Sequence, residues 1–187
     1  MKNLKTNISI LALLMAFAFS FTSCKDDDVI TPPDENEEEL ITTVELTFDN
    51  KNAATDIRTF KFADSDGEGG NAPTTMDTIR LNANSEYRLT VKFLDESDSS
   101  DVEDITEEVS EEANEHLVCY TLTAGGSVLA TDKDGNDLPL GLVADVTTFD
   151  AADGTFLIRL KHQPGIKTGA CDLGETDVEV DFVLEVE

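Results

Sequence analysis

Apolar and polar residues alternate with a period of two along several short segments of the chain. The clearest are residues 44–48, 60–62, 87–93, 156–160 and 178–186. Successive side chains of a β-strand point to opposite faces, so each segment is predicted to be a strand with one face in a core. Clusters of Gly, Asp, Asn and Pro between the segments predict turns.

The number and spacing of these segments predict the fold class. About eight short strands separated by turns are typical of an antiparallel, Ig-like β-sandwich. Residues 40–187 are long enough to form that sandwich as one domain. Strands do not alternate with helices, which disfavours a parallel α/β sheet. The expected fold is therefore all-β.

Residues 104–116 break the period of two. Asp104 is followed three residues later by Glu107, a spacing typical of helix N-termini. Ile105, Val109 and Ala113 then recur every four residues and form one apolar stripe. We therefore expect one short acidic helix over residues 104–116, lying over one end of the sandwich.

The N-terminal segment is typical of an exported protein. Lysines within residues 1–5 precede the 14-residue, mostly apolar run Ile8–Phe21, which is shorter than a membrane span of about 20 residues. The run is followed by Thr22-Ser23-Cys24, which resembles the lipobox at which bacterial lipoproteins are cleaved and acylated. We expect a signal peptide over residues 1–23 and lipidation of Cys24. The alternative is an ordinary secreted protein.

Residues 24–39 are expected to form an acidic, disordered tether. Residues 25–39 contain eight acids, one lysine and the pair Pro32-Pro33, and such a segment cannot bury enough apolar area to fold. Lys25 followed by three aspartates resembles the signal that sends Bacteroidetes lipoproteins to the cell surface. The expected location is the outer membrane, held by the lipid anchor and facing outward. One alternative to the outward location is the periplasmic face of the membrane. The alternative to an export signal at residues 25–28 is that these charges are only solvated charges of the tether.

The net charge excludes one class of partner. Forty acids against 13 bases give a formal charge of −27, which repels polyanions, so nucleic acid is not an expected partner. The sequence contains no Gly-x-Ser-x-Gly motif, no phosphate-binding glycine loop and no His-Glu-x-x-His motif. An excess of carboxylates is not a positioned acid–base pair, and we do not expect an enzyme.

Two cysteines remain once Cys24 is assigned to the lipid anchor. Cys119 and Cys171 form an even pair in an exported domain, which predicts a disulfide between them. The alternative is two independent thiols, with Cys119 simply buried in its strand.

The two histidines and their acidic neighbours form the candidate binding site. Residues 95–115 contain 11 acids, and the next residue, His116, opens one predicted strand, whereas His162 closes another. If these strands are antiparallel neighbours, both imidazoles lie at the same end of the sheet. Two imidazoles with carboxylates suit Zn²⁺ and related divalent ions. The candidate metal ligands are His116, His162, Glu112, Glu115, Glu175 and Asp177.

Other interpretations stay open for these residues. The histidines can be ordinary strand-end residues, and the acidic helix can be a solvated face. Calcium is a less favoured ligand of the loops at residues 64–68 and 132–137, because Thr75 and Val143 stand where an EF-hand requires glutamate. Hairpin turns use the same residue types.

Several segments together carry a family resemblance. They are residues 38–43, 64–73, 105–108, 115–116, 132–135, 138–142, 160–164 and 174–180. Over these segments the chain resembles small Bacteroidetes lipoproteins labelled type 1 periplasmic-binding-fold superfamily proteins. A type 1 binding protein has two α/β lobes and is far longer, so the period-two pattern disagrees with the fold named in that label.

The resemblance also implies a function. Such lipoproteins accompany TonB-dependent outer-membrane receptors, which implies an accessory role in nutrient or metal uptake. We therefore expect a lipid-anchored cell-envelope binding protein that captures a divalent metal ion for such a receptor. The alternative is an acidic surface interaction or structural lipoprotein without a small-molecule ligand.

Overall fold

A computed structural model describes residues 40–65 and 70–187. Ten strands and one helix lie in these two ranges. The strands are β1 (Thr43–Asn50), β2 (Ile57–Ala63), β3 (Thr75–Met76), β4 (Ile79–Leu81), β5 (Glu86–Leu94), β6 (His116–Leu122), β7 (Gly126–Ala130), β8 (Val143–Thr148), β9 (Ala152–His162) and β10 (Glu175–Val186), and the helix α1 (Ile105–Glu111) lies between β5 and β6.

The strands form two sheets. One has six strands in the order β3-β2-β1-β5-β8-β7, and the other has four in the order β4-β10-β9-β6. The prediction of an all-β sandwich is confirmed. The pairing is not antiparallel throughout, because β4 runs parallel to β10, with Ile79 opposite Leu184.

The core lies between the two sheets and uses the alternating apolar residues. Most inward-facing apolar positions of β1, β5, β9 and β10 are buried, and most of their sequence neighbours are more exposed. The ring of Phe48 on β1 meets that of Phe156 on β9 edge-to-face, with the centroids 5.8 Å apart. This contact joins the six-stranded sheet to the four-stranded one. The largest fully buried side chains are Tyr87, Phe48, Phe93, Phe156 and Phe182.

The helix α1 begins where the sequence predicts it and ends sooner. The side chain of Asp104 caps it by accepting a hydrogen bond from the Thr106 N–H, and Ile105 and Val109 are buried. The predicted end at residue 116 is wrong, since α1 ends at Glu111. Its last turn contains no basic residue. Carboxylates near a helix C-terminus oppose the helix dipole, and His116 is instead paired with β9.

The predicted disulfide between Cys119 and Cys171 is confirmed, with an S–S distance of 2.05 Å. Cys119 lies on β6, and Cys171 lies in the loop between β9 and β10. The bridge therefore fastens this loop to the edge strand of the four-stranded sheet.

The predictions for the N-terminus concern a part of the chain that the structure does not describe. The signal peptide (residues 1–23), the lipidation site Cys24 and the tether (residues 24–39) lie outside the described residues. Within the described ranges, no helix has the length and apolar character needed to cross a membrane.

Candidate metal centre

His116 and His162 meet at one end of the four-stranded sheet. They are directly opposite each other in the antiparallel pair β6–β9. Opposed residues of an antiparallel pair place their side chains on the same face, and the two rings stack with centroids 4.7 Å apart and an interplanar angle of 18°. Only 2% of His116 and 4% of His162 are exposed. The prediction that the two imidazoles share one end of the sheet is confirmed.

Glu112 completes a group of three potential metal ligands. One ligand atom from each of Glu112, His116 and His162 lies within 4.8 Å of the other two. Two nitrogens that each bind one tetrahedral ion at 2.0–2.1 Å lie about 3.4 Å apart, a separation that falls within the 4.8 Å limit of this group. Glu112 is exposed whereas both histidines are buried, so the group opens to solvent on the Glu112 side.

A backbone contact fixes the orientation of His116. Its Nδ1 lies 3.3 Å from the carbonyl oxygen of Glu112. Because a carbonyl oxygen can only accept a hydrogen bond, Nδ1 carries the proton in the neutral ring and Nε2 has the free lone pair. Metal-ligating histidines usually donate their other ring N–H to a carbonyl or carboxylate in this way.

The other predicted ligands border this group without belonging to it. A carboxylate oxygen of Glu115 lies 3.7 Å from His162 Nε2. Glu175 is opposite His162 on β10, and Asp177 lies at a shift in the strand register between Thr176 and Val178. Glu115, Glu175 and Asp177 are not in the three-residue group.

The surroundings of His116 favour its neutral form. Burial lowers the pKa of the His116 ring below its usual 6.5, and a charge on His162 would lower this pKa further. The Glu112 carbonyl and the carboxylates of Glu115 and Glu108 act in the opposite direction but do not cancel the shift. The neutral imidazole is the form that binds metal ions.

This lowered pKa predicts a pH dependence of stability in the metal-free protein. As pH falls below about 6.5, the unfolded chain takes up a proton at His116 before the folded chain does. The free energy of unfolding should therefore decrease, by at most about 1.4 kcal/mol per pH unit. Urea unfolding in a chelating buffer from pH 7.5 to 5 measures this change. His116→Gln should flatten this part of the profile, and an unchanged slope in that variant would contradict the assignment.

Two residues that the sequence analysis missed hold the segment before His116. We call residues 112–115, between α1 and β6, the ligand turn. The Ala113 carbonyl accepts a hydrogen bond from Lys167 Nζ at 2.7 Å, and the Glu115 carbonyl accepts one from the Gln163 N–H at 2.6 Å. Lys167 is 54 residues from Ala113 in sequence, and no local pattern indicates such a contact.

The loop at residues 132–137 uses its carboxylates for turn geometry. Asp132 accepts hydrogen bonds from the N–H groups of Gly141 and Val143. Asp134 is buried and forms an ion pair with Lys167, at 2.9 Å. These contacts give both carboxylates a structural explanation without calcium. The other loop considered for calcium lies partly outside the described residues, which omit positions 66–69.

Comparison of the chain with protein-family models, with curated proteins and with solved structures finds no match.

Proposed function

We propose that this chain is a lipid-anchored cell-envelope protein that binds a divalent transition-metal ion at Glu112, His116 and His162. The observation that carries the proposal is the pair of buried imidazoles in opposed register, with a carboxylate within 4.8 Å of both. A binding protein accounts for these residues without a catalytic step.

The ligand types favour a first-row ion. Imidazole binds Zn²⁺, Ni²⁺, Cu²⁺ and related ions well, whereas Ca²⁺ and Mg²⁺ prefer sites made only of oxygen. Two imidazoles and one carboxylate supply three ligands, and the exposed side of Glu112 leaves room for water or a ligand from another molecule. Structural zinc sites have four protein ligands, whereas three ligands leave one coordination position open for exchange. Zn²⁺ is the first candidate.

The acidic surface next to Glu112, His116 and His162 supports the capture of cations. An open groove beside α1 is lined by six carboxylate residues, and Glu112 is one of them. The six are Glu103, Asp104, Glu107, Glu108, Glu111 and Glu112. A groove lined by charges of one sign concentrates ions of opposite charge and speeds their association. The groove therefore supports delivery of cations to the two histidines.

The cellular context of this proposal comes from the sequence and the disulfide. A disulfide is typical of an exported protein, as is the N-terminal segment ending at Cys24. With the resemblance to Bacteroidetes lipoproteins, these features support an outer-membrane location and an accessory role beside a TonB-dependent receptor.

Metal titration of the full chain in detergent tests the proposal. After chelator treatment, the wild type should bind one Zn²⁺ with a Kd of about 1 μM or tighter by calorimetry. His116→Asn and His162→Asn should each weaken binding by about 100-fold, because each removes one of three ligands. Glu112→Gln should weaken it by about tenfold.

A matched control is available on α1, next to the ligand group. Glu107→Gln removes one carboxylate from the groove without touching the three-ligand group, and should change the Kd by less than about twofold. If the wild type gives no binding heat for Zn²⁺, Ni²⁺ or Cu²⁺, the metal proposal fails. The chain is then better described as an acidic interaction module without a small ligand.

A further inference from the structure

The three proposed ligands come from two kinds of backbone element. His116 and His162 lie on paired strands, whereas Glu112 lies at the start of the ligand turn, in neither α1 nor β6. Within this turn, the Glu115 N–H donates to the Glu112 carbonyl at 2.8 Å. A short turn with so few internal bonds needs contacts from elsewhere to keep a side chain in a fixed place.

Side chains and backbone from two distant loops supply these contacts. Lys167 and Gln163, in the loop between β9 and β10, bond the carbonyls of Ala113 and Glu115. From the other side, the Asn114 side-chain oxygen accepts from the Gly135 N–H, at 3.1 Å. The ligand turn is therefore held between the loop at residues 132–138 and the loop at residues 163–174.

A buried ion pair connects these two loops directly. Lys167 Nζ lies 2.9 Å from a carboxylate oxygen of Asp134, and their side chains are only 2% and 0% exposed. The Asp134 carboxylate also accepts hydrogen bonds from the N–H groups of Asn136 and Leu138, at 2.8 and 2.9 Å. Lys167 is therefore fixed at one end by a rigid acceptor, and the same ammonium group donates to Ala113 in the ligand turn.

We propose that the Asp134–Lys167 ion pair is the positioning element of the metal centre, which holds the ligand turn so that Glu112 faces His116 and His162. This inference rests on the proposed function. Replacing a buried ion pair by neutral side chains of similar size often leaves stability unchanged, because removing two charges from water is costly. The role of the pair in this inference is geometric, because one ammonium group connects three segments that are far apart in sequence.

The test distinguishes a change in the geometry of the metal centre from a loss of folding stability. The double variant Asp134→Asn/Lys167→Met keeps an acceptor for Asn136 and Leu138 and removes both charges together, so that neither is left buried alone. Zn²⁺ titration of the full chain in detergent should show about 10–100-fold weaker binding, the usual effect of losing an outer contact to a metal ligand. The denaturation midpoint should stay close to that of the wild type. The Co²⁺-loaded variant should also show a changed visible absorption spectrum, which reports ligand geometry.

Hydrogen exchange provides a measurement that needs no metal. In the double variant, the amides of Glu115 and Gln163 should exchange faster, while amides at the centre of β9 keep their wild-type rates. A second double variant, Lys51→Met/Asp145→Asn, removes an exposed ion pair of the six-stranded sheet with the same charge change. This control should leave both Zn²⁺ affinity and exchange in the ligand turn as in the wild type.

The outcomes distinguish this inference from the proposed function. If the wild type binds Zn²⁺ and the Asp134→Asn/Lys167→Met variant matches it in affinity and exchange, the positioning role is wrong and the metal centre stands. If the wild type binds no metal, the proposed function is wrong. Hydrogen exchange then tests the ion pair by itself: faster exchange in the ligand turn of the double variant supports its role in holding the turn, and unchanged exchange contradicts it. If this variant fails to fold, Asn114→Ala at an exposed position loosens the same turn. It should weaken Zn²⁺ binding severalfold, and unchanged binding would overturn the inference.

Discussion

Phe48→Ala should lower the free energy of unfolding by about 3–5 kcal/mol, the usual cost of truncating a fully buried phenylalanine. Phe48 is completely buried, and its ring contacts those of Phe60, Tyr87 and Phe156 edge-to-face, with centroids 5.8–6.1 Å apart. Because Phe156 belongs to the other sheet, the truncation leaves a cavity where the two sheets meet. Urea unfolding at pH 7 measures the change.

An exposed phenylalanine provides the control. Phe149 is 52% exposed and follows β8, so Phe149→Ala should change the free energy of unfolding by less than about 0.5 kcal/mol. If the two variants differ by less than 1 kcal/mol in urea unfolding, the two sheets are not joined around Phe48 as described.

The strands with one polar face could be predicted from sequence. Alternation identifies β1, β5 and β10, because apolar residues on one face of each strand are buried and the residues between them are mostly more exposed. The two-residue β3 and the three-residue β4 are too short to show a period. The parallel pairing of β4 with β10 joins residues about a hundred positions apart, and local patterns contain no information on such a pairing.

The shared position of the two histidines could be predicted only on the condition that their strands are antiparallel neighbours, and the detail of the site could not be predicted. One histidine opens a strand and the other closes one, so antiparallel pairing places them at the same end of the sheet, whereas their stacking on one face depends on the exact register. The prediction that α1 extends to His116 failed because the apolar stripe continues past Glu111, while strand pairing begins at His116.

Long-range contacts decide which carboxylates join the histidines. Asp177 is placed by a register shift in β10, between Thr176 and Val178, that the apolar–polar pattern does not show. Glu112 is placed by the ligand turn, whose anchor Lys167 is 54 residues from Ala113 in sequence. A contact between two loops is set by the finished sandwich, so neither Asp134 nor Lys167 could be assigned to the site beforehand.

Removing the disulfide should have an effect as large as that of the core substitution. Cys119→Ala/Cys171→Ala should lower the free energy of unfolding by about 4 kcal/mol on the chain-entropy model, because the bridge closes a loop of 52 residues in the unfolded chain. Cys119 is 2% exposed, so the alanine there adds a small cavity to the entropic cost. Urea unfolding under non-reducing conditions measures the difference.

The same variant relates the disulfide to the metal centre. Cys171 ends the part of the β9–β10 loop that contains Lys167, and Cys119 lies three residues after His116 on β6. Cleaving the bridge should therefore also raise hydrogen exchange at Gln163, whose N–H bonds the ligand turn. Cys24→Ala removes the third cysteine and should leave both measurements as in the wild type. A reductant should lower wild-type stability by nearly as much as the double substitution, the difference being the small cavity at position 119. If the reductant has no effect on the wild type, the bridge does not stabilise the sandwich.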